Sequence, residues 1–224
     1  MSEKWKLPTT AELFDLSHTA ARPLLEGTVY PWEALGGIGE FVAELGRTLD
    51  PEEYELRGDQ VWVHKTAVIY PNNFMAGPCI IGPETEVRPG AFIRGKVLVG
   101  ARCVVGNSTE LKNAILFDVV QVPHYNYVGD SILGYHAHLG AGALTSNVKS
   151  DKSLVTVRAG EEKIETGLKK FGAMVGDGTE VGCHAVLNPG TVLGRGCRVY
   201  PLSMVRGFVP AGHLVKHEEI VEIR

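Results

Sequence analysis

Residues 122–131, VPHYNYVGDS, set an imidazole at His124 among polar and aromatic side chains. Histidine is the side chain that gains and loses a proton near neutral pH. One placed at a cleft can therefore serve as a general base. His136 and His138 follow close behind. Three histidines at a subunit interface would also have the donor set of a zinc site, which makes a metal enzyme an alternative. A second concentration of charge lies at residues 145–172, where Lys149, Lys152, Arg158, Lys163, Lys169 and Lys170 fall in one stretch. Long loops are often functional, and basic ones suit anionic ligands.

The elements that would position these groups are set by a period of six. From Val63 every sixth residue is apolar: Val63, Ile69, Met75, Ile81, Val87, Ile93, Val99, Val105, Leu111 and Phe117. Small or β-branched residues stand four places after most of them, as at Ala67, Cys79, Thr85, Ala91, Cys103, Thr109 and Ile115. The sixes resume at Leu133 and Leu139 and return at Val175, Val181, Leu187, Leu193, Val199 and Val205. A hexapeptide repeat is the signature of a parallel β-helix. One short strand and one tight corner occupy each hexad, three hexads make a triangular coil, and glycine tolerates the corner. A β-sandwich, with strands spaced about 8–12 residues apart, would not hold so strict a phase. Phe117 and Leu133 are 16 residues apart instead of 18, so the register slips across residues 122–131. Local rule-breaking inside a consistent pattern is where function is expected.

With 224 residues and 44% hydrophobic content, the chain suffices for one large domain or two small ones. A net charge of −4 gives no support to a general nucleic-acid or membrane-surface role. The first residues lack an apolar signal core and no apolar run reaches membrane-span length, so a soluble cytoplasmic protein is expected. The four cysteines form no CxxC pair, and Cys79, Cys103 and Cys197 fall at the small position of a hexad as buried filler.

Residues 1–60 do not follow the hexad rule. A short helix is expected over 12–16 after Thr9 or Thr10 as cap. A longer one is expected over 31–49, with Pro31 at its first position and Leu35, Ile38, Val42, Leu45 and Leu49 recurring at threes and fours. Gly36, Gly37 and Gly39 weaken it by about 1 kcal/mol each. The GGIG run lacks the lysine and the glycine spacing of a phosphate loop. The chain thus divides into a small N-terminal helical cap region (1–60), a β-helix (61–210) with a loop excursion at 145–172, and a tail (211–224). The cap is expected to hide the open strand edges at the end of the β-helix. The excursion is expected to carry a hairpin of residues 154–158 and 163–166 turning at Ala159–Gly160. The tail alternates weakly, as if to pair with the edge of a neighbour.

Four motifs, VRPGAF (87–92), GNSTELKNA (106–114), PHYNYVGDSILG (123–134) and LGAGALTSN (139–147), match in order and spacing a known family. They resemble the left-handed β-helix acetyltransferase domain of the bacterial bifunctional N-acetylglucosamine-1-phosphate uridyltransferases. The resemblance covers roughly residues 63–215, without the family's nucleotidyltransferase domain, which 60 residues cannot hold. It implies an all-β, left-handed parallel β-helix and a homotrimer with active sites between neighbouring copies. It also implies acetyl-CoA as cosubstrate and N-acetyl transfer to an amino-sugar phosphate resembling glucosamine 1-phosphate, or to a nucleotide amino sugar, in cell-envelope or nucleotide-sugar biosynthesis. Handedness rests on the resemblance alone, since most β crossovers are right-handed.

Carried over residue by residue, the resemblance makes His124 the catalytic base. The backbone N–H of Ala141 becomes the donor to the thioester oxyanion, and Asn147 a contact to the acetyl group. Arg88 and Lys112 become phosphate ligands and Tyr127 a contact to the sugar phosphate. Arg88 and Lys112 lie 24 residues apart, one coil plus one face, so they converge only from adjacent faces or from two subunits. Coenzyme A contacts fall at Ala141, Asn147, Cys183 and Tyr200. No metal is required. The chain departs from the family at His138, where the pattern has a substrate asparagine, and in its longer loop. The basic residue expected near the C-terminus is met only by Lys216. Besides a zinc enzyme resembling the γ-class carbonic anhydrases on His124, His136 and His138, the remaining alternative is a non-catalytic scaffold that binds a nucleotide sugar.

Overall fold

A computed structural model describes residues 5–217 and 219–222. Short parallel strands wind into a left-handed β-helix of about nine turns. Each turn visits three faces in a fixed order. The first holds strands such as Val61–His64, Cys79–Ile81 and Val97–Val99. The second holds Val68–Ile69, Glu86–Val87 and Val104–Asn107, and the third Phe74–Met75 and Phe92–Ile93. Strands Glu110–Leu116 and Tyr127–Leu133 bend across the corner between the third face and the first. The predicted apolar positions point inward: Val63, Ile81 and Val99 stack on the first face, and Val87 and Val105 on the second. All five are fully buried.

The register slips twice, once inside the predicted stretch and once before it. Val97 pairs with Ala114 and Val99 with Leu116, so one residue is already missing at the Lys112–Asn113 corner. The next coil drops one more at Gly129–Asp130, where Leu116 pairs with Leu133. Leu116, not Phe117, therefore fills the interior. Phe117 is buried outside the prism against Phe14, with ring centroids 5.0 Å apart. Ile115 likewise faces outward. The strand Gln121–His124 is in regular register, His124 opposite Asn107.

The first face carries a ladder of outward apolar side chains, Trp62, Ile80, Leu98, Ile115, Ile132, Met174 and Val192, each in register with the next. Every member after Trp62 is buried. The N-terminal segment covers them, so it lies along this face and not over the end of the helix. The α-helix Ile38–Thr48 packs on strands Cys79–Ile81, Val97–Val99 and Glu110–Leu116, and the 3-10 helix Pro31–Gly36 on Tyr127–Leu133. At one extreme a Cβ on Gly46 would sit 2.2 Å from the Trp62 ring, so only glycine admits the indole. At the other, Trp5 meets His213 in the last coil.

Thr9 caps the first helix through a capping box with Glu12, as its sequence predicts, but the helix is Thr10–Leu13 and gives way to a 3-10 turn at Leu16–His18. The long expected helix is split at Gly36–Gly37 into those 3-10 and α segments. The excursion leaves after Leu144–Thr145 and re-enters at Ala173–Val175, with a hairpin of Thr156–Ala159 and Glu162–Glu165. Two of the terminal strand edges are covered within the chain. Tyr54–Leu56 pairs antiparallel on the first coil, and Glu219–Glu222 folds back on His213–Lys216 instead of seeking a neighbour. No helix among the described residues is long and apolar enough to cross a membrane.

Truncating Ile132 to Ala should cost about 2–5 kcal/mol of stability, read as a lowered denaturant midpoint. Burial pushes the thiols of Cys79 and Cys103 up to about 12 and that of Cys197 up to about 11, while Cys183 is exposed. The thiolate is the reactive form. Iodoacetamide at mildly alkaline pH should therefore modify Cys183 alone in the folded protein, and all four cysteines after denaturation, counted by mass spectrometry.

Candidate functional site

The expected site residues fall on two edges of the prism that flank its third face. The edge between the second and third faces carries Arg88, His124, Ala141, Cys183 and Tyr200. Its coils are tied in a column: the Gly142 N–H donates to the His124 carbonyl at 3.0 Å, the His184 N–H to Ala141 at 2.8 Å, and the Leu202 N–H to Cys183 at 2.9 Å. His124 and Ala141 thus occupy the same corner of successive coils. His124 is exposed. The N–H groups of Gly140, Gly142 and Ala143 are used within the column, whereas that of Ala141 has no acceptor among the described residues. Gly142 takes φ +71°, and a Cβ there would lie 2.4 Å from Nδ1 of His184, so a side chain at this corner would be strained and would displace that ring.

Asn126 holds the histidine corner in place. It is buried, its Oδ1 accepts from the His124 N–H at 3.0 Å, and its Nδ2 donates to the carbonyls of Gly140 at 2.9 Å and Ala143 at 3.0 Å. One amide thereby fixes His124 against the loop that presents Ala141. Sequence reasoning passed over this residue, although a polar side chain two places after a corner histidine is a visible signal.

The edge between the third and first faces carries Lys112, Tyr127 and Asn147, gathered around Asp130. That carboxylate is nearly fully buried. Both its oxygens lie 3.0 Å from the Lys112 ammonium, and Asn113 and Asn147 also donate to it. Asn147 donates to the Tyr127 hydroxyl as well, at 3.1 Å. Burial, with the nearby Glu110 and Asp130 carboxylates, pushes the Tyr127 phenol up, so its proton stays available to a ligand. Arg94 pairs with Glu110 at 2.7 Å. A cleft of about 490 Å³ opens here under Leu35 and Gly36 of the N-terminal segment.

Arg88, paired with Glu86 at 2.9 Å, and Lys112 sit on opposite edges of the third face and do not meet within one chain. His138 stands on the second face, in register with Gln121, with Nδ1 2.7 Å from Glu180. His136 lies at the remaining edge, its N–H bonded to Asp118. The three histidines named as a zinc set are therefore spread over two edges and a face. No group of three or more His, Cys, Asp or Glu is placed to hold a metal ion among the described residues. Tyr200 is half-exposed, with the Lys216 ammonium 5.6 Å from its ring centroid.

Comparison with known proteins places this geometry in context. A family model, the GMPPB C-terminal domain, matches residues 75–210. The chain is 31% identical over 135 residues to a bifunctional sugar-1-phosphate nucleotidylyltransferase/acetyltransferase of Sulfurisphaera tokodaii, covering 60% of this chain and 32% of that protein. It is 32% identical over 169 residues to the bifunctional protein GlmU of Methanococcus aeolicus, covering 67% of this chain and 41% of that one. It is 29% identical over 181 residues to the putative uncharacterized acetyltransferase YaiX of Escherichia coli, covering 73% and 75%. The chain thus spans about a third to two-fifths of the length of the two archaeal relatives.

Removing the Asp130 carboxylate strands an ammonium and two side-chain amides. Asp130→Ala should lose about 3–5 kcal/mol of stability, measured by urea unfolding.

Proposed function

The chain belongs to the GMPPB C-terminal domain family, and from that premise we propose that it is an acetyl-CoA-dependent N-acetyltransferase whose acceptor is an amino sugar bearing phosphate. The observation that carries this reading is the pairing of an exposed imidazole, His124, with the uncommitted N–H of Ala141 on the next coil of the same edge. His124 removes a proton from the acceptor's amine as the nitrogen attacks the thioester carbonyl. The Ala141 N–H donates to the oxygen on which charge develops, a stabilisation commonly worth about 3 kcal/mol. The C–N bond forms, the C–S bond breaks, and the proton held by His124 passes to the departing coenzyme A sulfur. Cys183 and Tyr200, further along the edge, lie where the coenzyme would continue. His138, oriented by Glu180 on the adjoining face, is a further acceptor contact.

The split between edges supports a homotrimer. Lys112, Tyr127 and Asn147 of one copy would face Arg88, His124 and Ala141 of the next, completing a site that neither copy holds alone. The third face between the edges exposes Phe74, Phe92 and Met204, apolar surface suited to burial against another copy. The relatives whose names join nucleotidylyltransferase to acetyltransferase support an acceptor resembling glucosamine 1-phosphate or a nucleotide-linked amino sugar.

Thiol release from acetyl-CoA, assayed over a panel of amino-sugar phosphates, tests the reading. His124→Ala should lower turnover by about 10²–10⁴-fold, with the oligomeric mass by light scattering unchanged. Unaltered turnover removes the imidazole from its role.

A further inference from the structure

The cleft of about 490 Å³ under the N-terminal segment is lined by Arg94, Lys96, Lys112, Lys169 and Lys170. Two of these cations are matched internally, Lys112 by Asp130 and Arg94 by Glu110. Lys96, Lys169 and Lys170 form no ion pair among the described residues. Three uncompensated cations converging on one concavity repel one another, and the arrangement is stabilised by an anion that enters it.

The backbone that carries these exposed lysines, and the stem of Lys96, are fixed before any ligand arrives. A Cβ on Gly39 would come within 3.0 Å of the Lys96 stem, so helix Ile38–Thr48 and this stem are packed together through a glycine. The Lys169–Lys170 pair is anchored on both sides. The Val155 N–H donates to the Leu168 carbonyl at 2.7 Å, and buried Phe171 wedges against Trp32 at 5.7 Å while its N–H donates to Asn147 at 3.0 Å. Ordering of mobile lysines is a main cost of binding an anion, and here part of it is met by the fold. Asn113 ties the roof to the wall through the Leu35 carbonyl at 3.2 Å.

We infer that this cleft binds a diphosphoryl group, with Lys96, Lys169 and Lys170 as its ligands. A single phosphate monoester carries about two negative charges, which leaves one of the three cations unmatched. A terminal diphosphate, such as inorganic pyrophosphate, carries about one charge more and matches the set. Because the cleft is built from the N-terminal segment, the prism edge and the exit of the excursion, the ligand also pins these three parts together. The inference touches the proposed acetyl transfer at Lys112, which borders both sites.

Calorimetric titration with inorganic pyrophosphate, and with inorganic phosphate as control, tests it on the full chain. Pyrophosphate should bind at least about tenfold tighter than phosphate. The variant Lys96→Ala/Lys170→Ala should weaken pyrophosphate by about tenfold or more, the loss expected for charge-assisted contacts. His124→Ala should leave it unchanged. Should the double variant fail to fold, the exposed single variant Lys169→Glu carries the same expectation. Equal affinity for the two anions, or pyrophosphate binding unaltered by these substitutions, overturns the inference. The titration needs no acetyl-CoA, so it stands or falls apart from the acyl-transfer reading. A rise in the acceptor's KM in the double variant shows that the acceptor's own phosphate reaches these cations; an unchanged KM with weakened pyrophosphate binding identifies a separate soluble effector.

Discussion

One steric demand governs this molecule: each coil places one large side chain per face toward the axis, and that side chain must meet its counterpart in the coil above and the coil below. Val63, Ile81 and Val99 do so on the first face, and Val87 and Val105 on the second. Such an interior leaves little freedom for polar groups, because each would need a hydrogen-bonding partner among apolar neighbours. Polar and exposed groups are consequently displaced to the corners, where the backbone turns and side chains reach solvent. His124, Ala141 and Cys183 on one edge and Lys112, Asp130 and Asn147 on another are the result.

A second demand decides which corners are open. The outward ladder from Trp62 to Val192 makes the first face as apolar as the interior, and residues of the N-terminal segment are consumed in covering it. The segment's margin then reaches the edge where two successive coils each lack one residue. That shortening brings Lys112 and Asp130 together across adjacent coils and lets a carboxylate be buried with three donors.

The period and phase of the repeat, the buried cysteines, the Thr9 cap and the excursion were all legible in the chain. The first shortened corner was not, because Ile115, Leu116 and Phe117 are all apolar and any of the three satisfies a hydrophobic pattern. Both missing residues were therefore charged to the next polar stretch, which holds only the second of them, at Gly129–Asp130, past the regularly paired His124. The course of the N-terminal helices was hidden for a different reason: an amphipathic helix declares that it has an apolar side, not which surface that side meets. A trace existed in Ile80, Leu98, Ile115, Ile132, Met174 and Val192, apolar at the one strand position that should have faced water. Asp130 binds side chains from other coils, and partners distant along the chain leave no local pattern.

Arrays of stacked coils ordinarily hold only to their immediate neighbours and can fray from either end. Here Trp5 touches His213 in the final coil while Gly46 receives Trp62 from the first. This splint joins the two extremities of what would otherwise be a one-dimensional stack, so that opening one end disturbs the other. It also inverts the order of synthesis: this strap is made before the β-helix, yet its docking surface is finished only when the last coil is, so it must wait for that coil before it can seat fully.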